Sequence, residues 1–281
     1  MMDRAGALKL TGEAEGSFTA FRSQFAVAAP TGSLTAELAM QPADRNGLRP
    51  LKGRVAVAGF QAGEVLGQDK LGRVSCEAGV NGLIGKGVID TRIDGRVTQL
   101  EFNRYAYDSL RFGGRLTEKN FDGHIHADDP ALRFDFQGEV GFDPERPYYD
   151  FDLDLIHADL ARMHLNARDS VSVLSALVEA RASGRTLDDM NGEVTVSDVV
   201  YRYNTDTLRS ARLAITGQNS PGSKYLSFQS DFADATFRSK TDYKTVFEYL
   251  RSSLERYIPL LYDKQKTRKR AAGAVSVVDD Y

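Results

Sequence analysis

The sequence predicts a mainly β protein: an elongated, curled antiparallel meander, gutter-like in section, with an apolar inner face and one amphipathic helix near the C-terminus. Three observations predict it. Between residues 89 and 240 apolar residues fall on every second position, the period of a strand with one covered and one solvated face. Turn residues such as Asp129-Pro130 and Asp143-Pro144-Glu145-Arg146-Pro147 separate the alternating blocks. A helical spacing of apolar residues is clear once, between Thr241 and Leu261.

Taken in order, residues 1–88 are a less regular strand segment of the same sheet. Short alternations occur at Leu8/Leu10, Phe25/Val27 and Leu34/Ala36/Leu38/Met40, and Pro42 to Pro50 reads as a connector. Alternation resumes at Val55/Val57 and Val74/Cys76/Ala78/Val80. The glycine-rich run Gly79 to Gly87 is read as a flexible turn. It fails as a phosphate loop, because Gly87 follows Gly85-Lys86 where Ser or Thr is required.

Residues 89–240 are the repetitive meander expected to form the groove. The parity change between Val97 and Leu100 predicts a bulge or tight bend. Phe121 to Leu155 shows the pattern most clearly, with Asp, His, Arg, Gln and Glu between the apolar positions. Residues 171–182 suit a strand or a helix by composition, and their strand neighbours favour strand. A unit of glycine, polar residue and aliphatic residue repeats, as in Gly95-Arg96-Val97 and Gly123-His124-Ile125. Glycine there lets a strand bend; a sharper reading is that it keeps a channel open. Residues 241–262 form the helix, which caps the end of the sheet or, on a second reading, lies on a membrane surface. Residues 263–281 are a flexible basic tail.

The bulk numbers bound the function. Apolar content of 42% and charge content of 27% are those of a folded chain. The net charge of −3 gives no sign of a nucleic-acid binder. No apolar run approaches the ~18–20 residues of a membrane span. Met1 to Leu10 has no apolar signal core, so the chain is either cytosolic or a segment of a longer exported protein. Cys76 stands alone, which excludes an intrachain disulfide.

Candidate chemistry is sparse. His124 and His126 stand two apart near Asp128 and Asp129, short of the ligand set of a closed metal site. Asp150, Asp152 and Asp154 resemble the start of a calcium loop, but Leu155 and Ala161 stand where Gly and Glu belong. They read as the solvated face of a strand. No nucleophile and base arrangement is recognisable, so no catalytic residue, metal or cofactor is expected. The cluster Lys264, Lys266, Arg268, Lys269, Arg270 reads as a solvated tail.

A strand-rich chain with a continuous apolar face needs a cover. Either the sheet folds into a dry sandwich, giving a structural or adhesive protein, or it curls and leaves a greasy trough. An acyl chain in that trough is stabilised at roughly 0.8 kcal/mol per CH₂. The expected lining is Val97, Leu100, Phe102, Leu110, Phe112, Leu116, Phe121, Ile125, Leu132, Phe134, Phe136, Val140, Phe151, Leu153, Leu155, Val194, Val196, Leu213, Ile215, Leu226, Phe228 and Phe232. An enzyme on a β-scaffold would instead need a polar pocket, with His124 and His126 the first place to look.

Several runs carry a family resemblance. They are Ile93-Asp94-Gly95-Arg96-Val97 with Leu100-Glu101-Phe102, Tyr105-Ala106-Tyr107 and Phe121-Asp122-Gly123. They continue with Asp129-Pro130-Ala131-Leu132-Arg133-Phe134-Asp135-Phe136, Thr186-Leu187-Asp188-Asp189-Met190-Asn191-Gly192 and Ser230-Asp231-Phe232-Ala233-Asp234-Ala235. In this order, over residues 89–262, the chain resembles the TamB family of translocation and assembly modules, especially its Bacteroides-type versions. That family sits with the AsmA-like and bridge-like lipid-transport proteins. The resemblance implies an internal periplasmic segment of a longer chain, anchored in the inner membrane and reaching the outer membrane through parts missing here. It implies phospholipid acyl chains as cargo, passage of lipid between the membranes and a role in outer-membrane protein assembly. A barrel assembly protein of the TamA type would be a partner through the missing parts, and no nucleic acid would be.

Overall fold

The structure is a computed structural model and describes residues 9–17, 20–166 and 169–243. Alternating sequence leaves each strand two rows of backbone donors and acceptors that only neighbouring strands can satisfy. The described residues answer this with one open, curled antiparallel sheet of sixteen strands. The strands are β1 Lys9–Ser17, β2 Ala20–Ala29, β3 Gly32–Met40, β4 Arg49–Gln61, β5 Leu71–Gly85, β6 Val88–Phe102, β7 Tyr105–Tyr107 and β8 Leu110–Thr117. They continue as β9 Asn120–Asp129, β10 Leu132–Gly141, β11 Tyr148–Asp159, β12 Ser172–Ser183, β13 Asn191–Tyr203, β14 Asp206–Ser220, β15 Ser223–Ser230 and β16 Asp234–Ser239. Spatial order follows chain order, except that β7 and β8 share one edge of β6. Asn103 and Arg104, at φ 52° and 67°, make the two-residue turn that folds β7 back.

Most strand expectations hold. Residues 172–183 are strand β12, and the parity change after Val97 is a register shift between Ser75 and Cys76 on the facing strand. Residues 9–40, expected to be irregular, form three full strands in register. Their small Ala, Gly and Thr residues weaken the hydrophobic signal without weakening the ladder. The glycines 79, 82 and 85 are not a flexible turn but the second half of β5. Gly79 is covered by the Asp94 carboxylate, and a Cβ on Gly82 would stand 2.2 Å from the Asp90 carbonyl oxygen, so close strand approach uses them. The turn is confined to Lys86-Gly87, both at positive φ. A five-residue helix, α1 Ala62–Leu66, follows β4 and ends on Gly67 in the left-handed conformation. The expected helix over 241–262 and the tail 263–281 fall, beyond Tyr243, outside the described residues.

The described residues form one sheet, and no second sheet is found among them. The buried apolar residues are mostly small: Ala36, Ala127, Ala131, Ala158, Ala176, Ala180 and Ala214. One compact cluster lies at one end of the central strands, where Tyr107, Ala131, Ala158 and Met163 pack with Leu100, Leu110, Leu132, Leu155 and Leu174. Its polar centre is Asp129, which is 1% exposed. One carboxylate oxygen accepts the Tyr105 hydroxyl at 2.7 Å and the Ala131 amide at 2.8 Å. The other accepts the Asp108 amide at 3.1 Å. Asn103 pins the same end by donating to the carbonyls of Met163 and His164.

Candidate functional site

Directly paired residues on neighbouring strands share a face, so the register sorts the expected lining into rows. One row runs Phe112, Ile125, Phe136, Leu153, Val178, Val196, Leu213. A second runs Val97, Leu110, Ala127, Phe134, Leu155. A third joins Gly138, Phe151, Ala180, Val194, Ile215 and Phe228, and a fourth holds Leu116, Phe121, Val140 and, further along, Leu226. The rows extend toward the N-terminus through Gly95, Ala78, Val55, Ala36 and Phe25. All four lie on the same side of the sheet.

Leu100, Phe102 and Leu132 belong to the end of this face beside the packed cluster. Phe102 is 38% exposed. Leu226 is buried, and the remaining expected residues of the rows are half-buried. Phe232 departs from the rows. It sits in the bend between β15 and β16 and is 68% exposed. The Ser230 hydroxyl accepts the amides of Phe232 and Ala233, and Asp231 accepts from Ser210 and Ala211. These bonds turn the chain before the alternation can carry Phe232 onto the sheet.

Three glycines of the face, Gly95, Gly114 and Gly123, do not hold a channel open. The Phe112 ring lies over Gly95, and the Phe121 ring lies over Gly114 and Gly123. Each aromatic fills the space that its neighbour gives up. Phe136 and Phe151 add a tilted pair with centroids 5.1 Å apart.

The opposite face is charged and solvated. Arg115 forks onto Asp90, Arg181 bridges Asp150 and Asp152, and Glu77 pairs with Arg96. The calcium-like aspartates therefore belong to an arginine-bridged exposed face. The Arg115 hydrogen bond draws the Asp90 carboxyl below its ordinary range. His126 Nδ1 lies 2.6 Å from Asp135, while the His124 ring lies over Gly113. No group of three or more potential metal ligands assembles among the described residues.

A hollow of about 1090 Å³ spans β1 to β8. Its floor is the row Gly12, Phe25, Ala36, Val55, Ala78, Gly95, Phe112, and its walls are residues one position to either side, including Glu37, Arg54, Glu77, Arg96 and Arg111. The apolar side chains two positions away, such as Val57, Val80 and Ile93, do not contribute. This hollow therefore opens on the charged face, and Phe112 is the single expected lining residue within it. The apolar rows are a broad surface, not an enclosed pocket. Sequence reasoning missed the Asp129 centre, whose partners Asp108 and Tyr105 lie 21 and 24 residues away.

Comparison of the chain with protein-family models, with curated proteins and with solved structures found no match.

Proposed function

We propose that the chain is a lipid-carrying segment of a cell-envelope protein, whose apolar sheet face takes phospholipid acyl chains on their way between two membranes. One observation carries this reading. The face formed by Phe112, Phe134, Phe136, Phe151 and Leu153 runs across strand after strand, stays half-exposed and has no covering layer among the described residues. An apolar surface of this extent marks a binding site for something apolar. An acyl chain laid on it leaves water at a gain of roughly 0.8 kcal/mol per CH₂, while its head group stays in solvent. The role needs no bond made or broken. It agrees with the resemblance to TamB-like proteins, and a periplasmic setting and a barrel assembly partner are proposed on that resemblance alone.

Native mass spectrometry of the purified chain tests the reading. Diacyl phospholipid should remain bound after gentle purification and be taken up from vesicles by delipidated protein. Phe136→Asp combined with Leu153→Asp should abolish uptake while circular dichroism still reports strand. A folded parent protein that neither retains nor acquires phospholipid refutes the proposal.

A further inference from the structure

At one corner the apolar face ends on a cation. Register places Arg49 opposite Ile84 and Ile84 opposite Ile89, so Arg49 shares the side of the sheet that carries the apolar rows. Its Nε is buried and has no hydrogen-bond partner among the described residues. A donor shut away from water without an acceptor is costly. Two residues after Ile84 the chain turns at Lys86, whose φ is 49°. The Lys86 side chain packs on Gly47, with Nζ 2.9 Å from the place a Cβ on Gly47 would occupy. Gly47, at φ 79°, belongs to the loop leading into Arg49. Two cations thus belong to the region where β4 begins and β5 ends, Arg49 on the first residue of β4 and Lys86 just after β5.

No ion pair within 4 Å links either one to a carboxylate among the described residues. Carboxylates near this corner are engaged elsewhere, Asp90 by Arg115 and two others by backbone amides. Asp44 accepts Asn46 and Leu48, and Glu118 accepts Ile89. A guanidinium offers a planar fork of donors that matches a phosphate, and a lysine adds a point charge. An anion bordered by apolar surface is the chemistry of a glycerophospholipid at its head.

We propose that Arg49 and Lys86 hold the phosphate of a glycerophospholipid whose acyl chains lie on the adjoining apolar rows. This rests on the lipid-carrying reading and adds head-group selection to it. The test uses the delipidated full chain with three probes: dioleoyl phosphatidylglycerol, dioleoylglycerol with the same tails and no phosphate, and glycerol 3-phosphate. Lipid binding is read by native mass spectrometry and glycerol 3-phosphate by calorimetry. Phosphatidylglycerol should bind about tenfold more tightly than dioleoylglycerol, a difference of ~1.4 kcal/mol. Arg49→Gln should erase that preference and leave dioleoylglycerol unchanged; Arg49→Lys should keep part of it. Lys86→Gln, in an exposed turn, gives a second variant with an intact fold and should lower the preference severalfold.

An unchanged preference in Arg49→Gln and Lys86→Gln overturns the phosphate site, as does equal loss of both lipids. In the first of these cases dioleoylglycerol binding still upholds the acyl-chain reading. If neither lipid binds while glycerol 3-phosphate binds through Arg49, the acyl-chain reading fails and a site for free phosphate esters stands in its place.

Discussion

Replacing Asp129 by alanine should be among the most damaging single changes in the chain. The carboxylate is 1% exposed and accepts three hydrogen bonds, from Tyr105, Ala131 and Asp108. Hydrogen bonds to a charged acceptor contribute roughly 1.5–3 kcal/mol each. Water can replace part of this at Asp108, which is exposed, and at half-buried Tyr105. It cannot at Ala131, which is 0% exposed. We expect Asp129→Ala to cost about 3–5 kcal/mol. Asp129→Asn should cost about 2 kcal/mol, because its amide turns one donor toward another. Tyr105→Phe should cost about 1 kcal/mol. The chain has no tryptophan, so urea unfolding followed by far-ultraviolet circular dichroism is the assay, with the midpoint shifting at constant slope. A loss below about 1 kcal/mol in Asp129→Ala, or a loss in Tyr105→Phe as large as in Asp129→Ala, refutes the reasoning. The phenol supplies an independent check. Burial and the Asp129 hydrogen bond push Tyr105 up to about 12. A raised folded value means that its contribution is complete below the ordinary tyrosine range near ~10. It is lost as pH climbs toward about 12. Tyr107, Tyr148 and Tyr243 are also raised, so ultraviolet titration of the parent against Tyr105→Phe should assign the Tyr105 step, which moves earlier in Asp129→Asn.

Two further outcomes follow from local geometry. A Cβ on Gly123 would stand 2.3 Å from the Gly113 carbonyl oxygen and 2.8 Å from the Phe121 ring, so Gly123→Val should lower stability by about 1–3 kcal/mol in urea. At Gly222 a Cβ meets nothing within 4 Å and only the φ of 75° resists it, so Gly222→Ala should cost about 1 kcal/mol and Gly222→Asn less. Burial raises the Asp189 carboxyl, yet the Arg185 and Thr186 amides outweigh it and hold the group at about 2. A depressed folded value gives stability that is present above about 4 and is lost as pH falls through about 2. The stability gap between the parent and Asp189→Asn should therefore close across that acid window.

The sheet was legible where side chains alternate strongly in size and polarity. Phe134, Phe136, Phe151 and Leu153 stand on one face because Asp135, Asp152 and Asp154 stand on the other. Strands β1 to β3 were faint because Ala26, Ala36 and Gly12 fit either face, although their backbones pair as fully as any. The strand through Gly79 and Gly82 looked like a loop for the same reason: a glycine does not report which side it faces. Asp129-Pro130 was read correctly as the boundary between two strands, with the turn itself at Pro130-Ala131, but the burial of Asp129 depends on Tyr105 and Asp108, which only the return of β7 brings near. Phe232 was misplaced because alternation continues in the letters after the chain has already bent. Arg49 left no trace in the sequence beyond its parity with Leu51.

Each strand pairs with the strands beside it in the chain, with β7 and β8 dividing one edge of β6. Such an arrangement behaves as a one-dimensional array in which coupling passes between adjacent units. Excising an adjacent hairpin, β9 with β10 for example, returns the flanking strands to opposite directions and lets them zip together with their greasy sides still aligned. Excising one strand alone leaves two parallel neighbours that a short loop cannot join. The molecule can therefore lengthen or shorten by pairs of strands, and its reach is a quantity that duplication and deletion can tune without redesigning any part that stays.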